Sequence, residues 1–338
     1  MDPSNKSKMN FGKKEADEHS QKTYRYEERG KEFIPPKGMP RKEKPKFAFN
    51  LKFPSWDEFY RALWKKSNGS SPGLNGNGYL IYKRCKGITR KLFLLQKKIW
   101  EKKSIPKEWK VVRVKLLPKT DDTSHPSKVR PISVINVEGR MFWTMYQYRM
   151  SEYFLQNEYI DLRIQKGFLK KVAGCVEHSM ILWEALKEFQ KKKRAICGVF
   201  LDLANAYGSV SHNMIQFALK WYHVPKHIAE LLFNYYEGVC SQVHEEEWKS
   251  EWFRNDIGSL QGCTASTVIF IVAFQLLLDI HEWQMELQKV NSGITIPDTE
   301  IKVSKPSYAD DIALVERTPQ NLQTSVDAFS KLVWMLLD

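Results

Sequence analysis

Cysteine is scarce in this 338-residue chain, and its placement forms no pattern. Cys85, Cys175, Cys197, Cys240 and Cys263 are odd in number, scattered, and include no C-x-x-C pair. That argues against a disulfide framework and suits a reducing compartment. Long apolar runs are also missing. The N-terminus is polar and charged, unlike a signal peptide, and the greasiest run, Val268 to Leu278, is well short of the ~20 residues a membrane span needs. The expected setting is therefore intracellular, nucleus or cytoplasm, neither secreted nor membrane-bound. No internal repeat or low-complexity tract occurs. Acidic residues are in deficit: 53 Lys+Arg face 39 Asp+Glu, giving +14 and a pI near 9.3. A balance above pI ~9 fits a polyanionic partner such as nucleic acid. Hydrophobic residues at 42% and aromatics at 13% exclude a wholly disordered chain and supply a substantial core.

Three regions are expected. Residues 1–48, rich in Lys, Glu, Pro and Ser, read as a disordered basic tail, in which PRKEKPK (40–46) could touch phosphate or serve as an import signal. Residues 49–195 hold the turn-rich loop SSPGLNG (70–76), an amphipathic helix near 88–102, and two strands, VVRVKLL (111–117) and VRPISV (129–134). The strands read as a hairpin with one wet, cationic face. Helices are expected at 139–156 and 175–190. In the third region, 196–338, Ile196 to Leu203 (ICGVFLDL) is nearly all apolar, the pattern of a central, doubly buried strand. Helices at 211–220, 226–237 and 264–282 follow, then a hairpin over 302–315 and a last helix. Mixed helices and strands without regular βαβ repetition indicate an α+β fold.

The chemistry concentrates in acids that look misplaced. Tyr308-Ala309-Asp310-Asp311 (YADD) sets two carboxylates side by side at the head of the apolar run IALV. Asp202 interrupts the apolar strand, which is costly unless it caps the next helix or is paired or metal-bound. Two acidic strand ends brought together form an anionic pocket in a cationic protein. Divalent cations with oxygen ligands relieve that repulsion, Mg²⁺ taking one or two carboxylates plus substrate phosphates. Lys115, Lys119 and Arg130 on the hairpin are candidates to clamp a triphosphate. Gln261, between Gly258 and Gly262, lies where backbone could approach a nucleotide. His223, His227, Cys240 and His244 read H-x₃-H…C-x₃-H, but such spacings arise by chance in helix-rich sequence and no zinc site is assigned. KKKR (191–194) reads as a solvated connector.

FLDLANAY (200–207), GSLQGCTAS (258–266) and YADD (308–311), in that order, resemble motifs A, B and C of reverse transcriptases. KLLPK (115–119) and VRPISVINVEGR (129–140) resemble the fingers motifs. SSPGLNG and IQKGF (164–168) are similar to N-terminal blocks of non-LTR, LINE-type retrotransposon enzymes. The resemblance implies right-hand polymerase fingers and palm, with an antiparallel palm sheet and the chain stopping before the thumb. It implies catalytic Asp202, Asp310 and Asp311, with two Mg²⁺ (Mn²⁺ as a possible substitute) held by Asp202, Asp310, Asp311 and the Leu203 carbonyl. Lys119 and Arg130 would hold the incoming dNTP, Gln261 would position nucleotide and template, and Tyr207 would exclude a ribose 2′-hydroxyl. The implied partners are an RNA template, a DNA or RNA primer and dNTPs, with protein partners unknown. An RNA-dependent RNA polymerase and a non-catalytic nucleic-acid-binding remnant are the rival readings. Asn75 and Gly208 depart from the Asp common among such proteins, and Thr264-Ala265-Ser266 from the usual proline-containing motif B.

Overall fold

A computed structural model of the chain describes residues 9–27, 32–169, 172–203 and 205–337. The chain opens with helices α1 (Lys13–Tyr24), α2 (Trp56–Trp64), α3 (Tyr79–Arg84) and α4 (Lys86–Lys102), then strands β1 (Val111–Pro118) and β2 (Val129–Val134). Helices α5 (Val137–Gln156) and α6 (Cys175–Lys191) follow, then β3 (Cys197–Leu201), α7 (Ala206–Ser209), α8 (His212–Trp221) and α9 (Lys226–Tyr236). Next come β4 (Cys240–Val243), β5 (Phe253–Arg254), α10 (Thr264–Leu287), β6 (Ile294–Thr295), β7 (Lys302–Val303), β8 (Ser307–Tyr308), β9 (Asp311–Glu316) and α11 (Pro319–Leu337). The class is α+β, as expected. Two compact units form: Met1–Arg29, Phe49–Arg149 and Val224–Ser266 make one, Gly30–Ala48, Met150–His223 and Thr267–Asp338 the other. The contiguous division at 48 and 195 is replaced by one in which the chain passes repeatedly between units. Composition shifts along a sequence do not report such returns.

The first unit is built on a four-stranded sheet, β2-β1-β4-β5. β1 and β2 pair antiparallel with Leu117 opposite Arg130 and Lys115 opposite Ile132, and β1 pairs parallel with β4. Val112 and Val114 are buried while Lys115 is exposed, so the alternation read from the sequence sets one face on the core and one in water. α2 begins at a reciprocal cap: Ser55 Oγ accepts the Glu58 N–H and Glu58 Oε2 accepts the Ser55 N–H at 2.8 Å. Phe59, Leu63, Tyr79, Met141 and Met145 form the core beneath. The expected disordered tail does not hold for the described part of 1–48. Phe11, just before α1, and Ala16 within it pack against Val129, and Tyr24 stacks on Phe253 at 5.3 Å. A few apolar residues among many charges suffice when a sheet edge is there to receive them. Residues 1–8 and 28–31 of that tail lie outside the described residues.

The second unit holds a three-stranded antiparallel sheet, β3-β9-β8. Here another expectation is overturned. β3 is an edge strand, with Phe200 83% exposed, and the central strand is β9, buried from Ile312 to Glu316. Apolar content alone does not say how many neighbours a strand has. The expected 302–315 hairpin is also shorter: β7 pairs with β6, and β8 turns tightly into β9. α6 places Ala185 and Phe189 over Val315 and Ile294. α10 is the one helix among the described residues long and apolar enough to cross a membrane, and its apolar stretch is mostly buried within the protein. It reads as a core helix.

Candidate active site

The β3–β9 register runs Cys197↔Glu316 to Leu201↔Ile312, and continuing it one step sets Asp202 opposite Asp311. Residues directly opposite in an antiparallel pair share a face. Asp202 and Asp311, both exposed, line one cleft of about 290 Å³ together with Cys175, His178, Phe200 and Tyr308. Asp310, half-buried, sits in the two-residue turn between β8 and β9, where Tyr308 pairs with Asp311. The acidic groups that the sequence placed at two strand ends are thus brought to one sheet end.

The turn itself is unusual. Ala309 occupies the left-handed region at φ 55°, which an L-residue adopts at a cost. It is held from beneath by residues 164–167. Gln165 forms a parallel bridge with Ser307, the Lys166 N–H donates to the Ser307 carbonyl at 3.0 Å, and the Ser307 N–H donates to that of Ile164 at 2.7 Å. His178 Nε2 hydrogen-bonds the Ile164 carbonyl at 2.8 Å, and burial lowers the His178 pKa. Gly167 allows the close approach, since a Cβ there would lie 2.3 Å from the Ala309 nitrogen.

Tyr207, on α7, stacks on Phe270 with centroids 4.5 Å apart and meets the edge of Phe168 at 6.4 Å. Its hydroxyl pKa is raised, by burial first and then by the charges of Asp310 and Tyr308. The ring is fixed beside the acidic turn. Leu203 follows Asp202 beyond the end of β3 and is half-buried.

Lys119, Arg130 and Gln261 belong to the first unit. Lys115 and Arg130 are exposed on the wet face of the hairpin, and Lys119, just past β1, is exposed with its Nζ donating to the Ser127 carbonyl at 3.1 Å. Gln261 lies in a turn whose flanking glycines both have positive φ, Gly258 at 82° and Gly262 at 113°. Its carbonyl accepts the Ser133 N–H at 2.6 Å, and a Cβ on Gly262 would meet the Ser133 oxygen at 2.6 Å. The loop is therefore seated on β2. The SSPGLNG loop is likewise pinned: Arg113 Nη2 donates to the Pro72 carbonyl at 2.7 Å, and Arg140 donates to that of Ser71. Asn75 serves locally, donating to both Glu138 oxygens at 3.0 and 3.1 Å, where Asp would repel.

Among the described residues, no three His, Cys, Asp or Glu side chains converge as a ready-made metal cage. The zinc pattern dissolves accordingly: His223 bonds the Lys42 carbonyl, His227 that of Trp100, and His244 the Gln242 side chain. What the β3–β9 end presents is exposed carboxylates from two strands. That donor set suits Mg²⁺, which keeps waters and accepts substrate phosphates as further ligands. Sequence reading missed Gln165; the signal available was a polar residue two positions before a glycine in IQKGF.

With this geometry in place, likeness to known proteins becomes informative. Residues 117–333 match the family described as reverse transcriptase (RNA-dependent DNA polymerase). The chain belongs to the reverse transcriptase family, whose members generally work with divalent metal ions. It is 29% identical over 224 residues to the retrovirus-related Pol polyprotein from type-2 retrotransposable element R2DM of Drosophila melanogaster, covering 66% of this chain and 20% of that protein. It is 26% identical over 221 residues to the corresponding polyprotein of the type-1 element R2 of Nasonia vitripennis, covering 65% and 20%. The chain thus spans about a fifth of the length of these curated relatives. These relatives agree with the LINE-type resemblance read from the motifs. Among solved structures, apo telomerase from Candida tropicalis truncated from its C-terminal domain aligns with TM-score 0.46 and 14% identity, covering 67% of this chain and 47% of that one. That likeness is too loose to carry an argument.

Proposed function

We propose that this chain is the polymerising core of a retroelement, an RNA-directed DNA polymerase extending a DNA or RNA primer on an RNA template. The observation that carries the reading is the juxtaposition of Asp202 and Asp311 at one sheet end, with Asp310 on the adjoining turn. Two bound Mg²⁺ would supply charge neutralisation for the attacking and leaving oxygens, held by Asp202, Asp310, Asp311 and the Leu203 carbonyl. The protein's own part is positioning and electrostatics. Exposed Lys119 and Arg130 grip the triphosphate, Arg130 able to do so bidentately. Gln261 positions nucleotide and template, and the half-buried Tyr207 ring leaves no room for a 2′-hydroxyl, favouring dNTPs. The net charge of +14 supports a nucleic-acid partner, and the setting is intracellular.

The test is extension of oligo(dT) on poly(rA) with Mg²⁺, beside Asp310→Ala. The expected result is dTTP incorporation by the wild type and a loss on the order of 10²-fold or more in the variant. Extension no greater than in the Asp310→Ala control would refute the reading and support a non-catalytic nucleic-acid-binding role. Preference for NTPs over dNTPs would indicate an RNA-dependent RNA polymerase instead.

A further inference from the structure

We propose that Gln165 is a positioning residue for the acidic turn, a neutral clamp that holds Ala309 in its left-handed conformation and so aims Asp310 and Asp311. The inference rests on the polymerase reading for its functional consequence. Gln165 is fully buried, and its side-chain amide grips both sides of one backbone residue. Its Oε1 accepts the Ala309 N–H at 2.8 Å, and its Nε2 donates to the Ala309 carbonyl at 3.0 Å. The same Oε1 accepts the Gly167 N–H at 2.8 Å, which fixes the rotamer of the clamp from its own loop.

Three features show that this contact sets geometry beyond filling space. Ala309 stands at φ 55° without the freedom of glycine, so its conformation needs enforcement from outside. The turn has two residues, Ala309 and Asp310, between paired Tyr308 and Asp311, so rotating Ala309 redirects both carboxylates. The clamp also brings no charge. A cation in its place would neutralise the carboxylates, and the one cation next to it in sequence, Lys166, is engaged by Glu177. An amide holds the backbone without adding a charge of its own to the cleft.

The test uses the full chain and three readouts: amide hydrogen exchange by NMR, Mn²⁺ affinity by electron paramagnetic resonance with Asp310→Ala as the zero, and primer extension. In the wild type, the Ala309 and Gly167 amides should exchange as slowly as those of β9. Gln165→Met, equal in bulk and lacking all three hydrogen bonds, should speed Ala309 exchange at least tenfold and weaken Mn²⁺ binding about fivefold. It should also lower kcat at least tenfold with the KM for dTTP within twofold. Gln165→Glu keeps the acceptor and should keep the Ala309 amide slow. Free exchange of Ala309 in the wild type overturns the proposal, and that measurement needs no variant. A wild type that binds no Mn²⁺, or a folded Gln165→Met with unchanged Mn²⁺ affinity, also overturns it. The amide and metal readings hold whether or not primers are extended. A wild type with both signatures and no extension would refute the polymerase reading alone.

Discussion

Gly167→Ala adds one methyl group and should cost far more than its size suggests. The new Cβ would lie 2.3 Å from the Ala309 nitrogen and 2.8 Å from its Cα. Both are backbone atoms, and attractive contact begins at roughly 3.5 Å. Gly167 is not among the positive-φ glycines, so alanine's own backbone preference is satisfied and the clash is isolated. Relief requires the turn to move by about 1 Å, which stretches both Gln165 bonds to Ala309. Overpacking costs about 1–3 kcal/mol and each of the two weakened buried hydrogen bonds about 1 kcal/mol, so a loss of about 3–5 kcal/mol is expected. Urea unfolding followed by far-UV circular dichroism measures it. Gly87→Ala is the control of opposite sign. Gly87 lies in α4 with nothing within 4 Å of where a Cβ would stand, and should gain about 0.5 kcal/mol. If Gly87→Ala gains as expected while Gly167→Ala matches the wild type, then residues 165–167 do not seat beneath the turn.

Other outcomes follow from neighbouring contacts. Tyr207→Val should raise NTP incorporation relative to dNTP by about tenfold in competition assays, whereas Tyr207→Phe, which keeps the ring stacked on Phe270, should leave selection unchanged. Gly73→Ala should destabilise the first unit by about 2 kcal/mol in urea, because a Cβ there meets Asn136 Oδ1 at 2.2 Å and its Cα at 2.6 Å. Burial holds His281 neutral down to about 4, against an ordinary value of 6.5. The unfolded chain therefore takes up this proton first, and stability should fall as pH drops from 6.5 toward 4, by at most about 3 kcal/mol. Unfolding midpoints of His281→Gln should show a shallower decline across that window.

Much of the site was legible because its chemistry is written in residue types that rarely sit beside apolar runs. Asp202 at the end of FLD and the Asp310–Asp311 pair before IALV stand out as costs, and pairing β3 with β9 brings those costs together. The hairpin was legible too, since the alternation of Val112, Val114 and Lys115 has a period only a half-buried strand satisfies. What escaped was relational. Nothing in ICGVFLDL distinguishes an edge strand from a central one, because apolar content reports affinity for a core and not the number of neighbours. α1 escaped because Phe11, Ala16 and Tyr24 are too few to show periodicity among charges, yet enough to anchor a helix on the adjoining sheet.

Gln165 escaped for a further reason that bears on how the site works. The acidic pair seemed to call for a counter-charge, which directs attention to cations and metals. The backbone of the turn is held instead by an uncharged group, an amide bound to both the N–H and the carbonyl of Ala309. The two needs of the turn are thereby separated. Conformational strain at φ 55° is offset within the protein by hydrogen bonds and by the glycine-sized gap at position 167. In the polymerase reading, bound metal and nucleotide would relieve the repulsion between the carboxylates. Offsetting both with a protein cation would stabilise the fold while weakening the attraction for the metal. A neutral clamp would keep the carboxylates aimed without adding a counter-charge of its own, so that the repulsion between them would contribute to the affinity for a metal bound there.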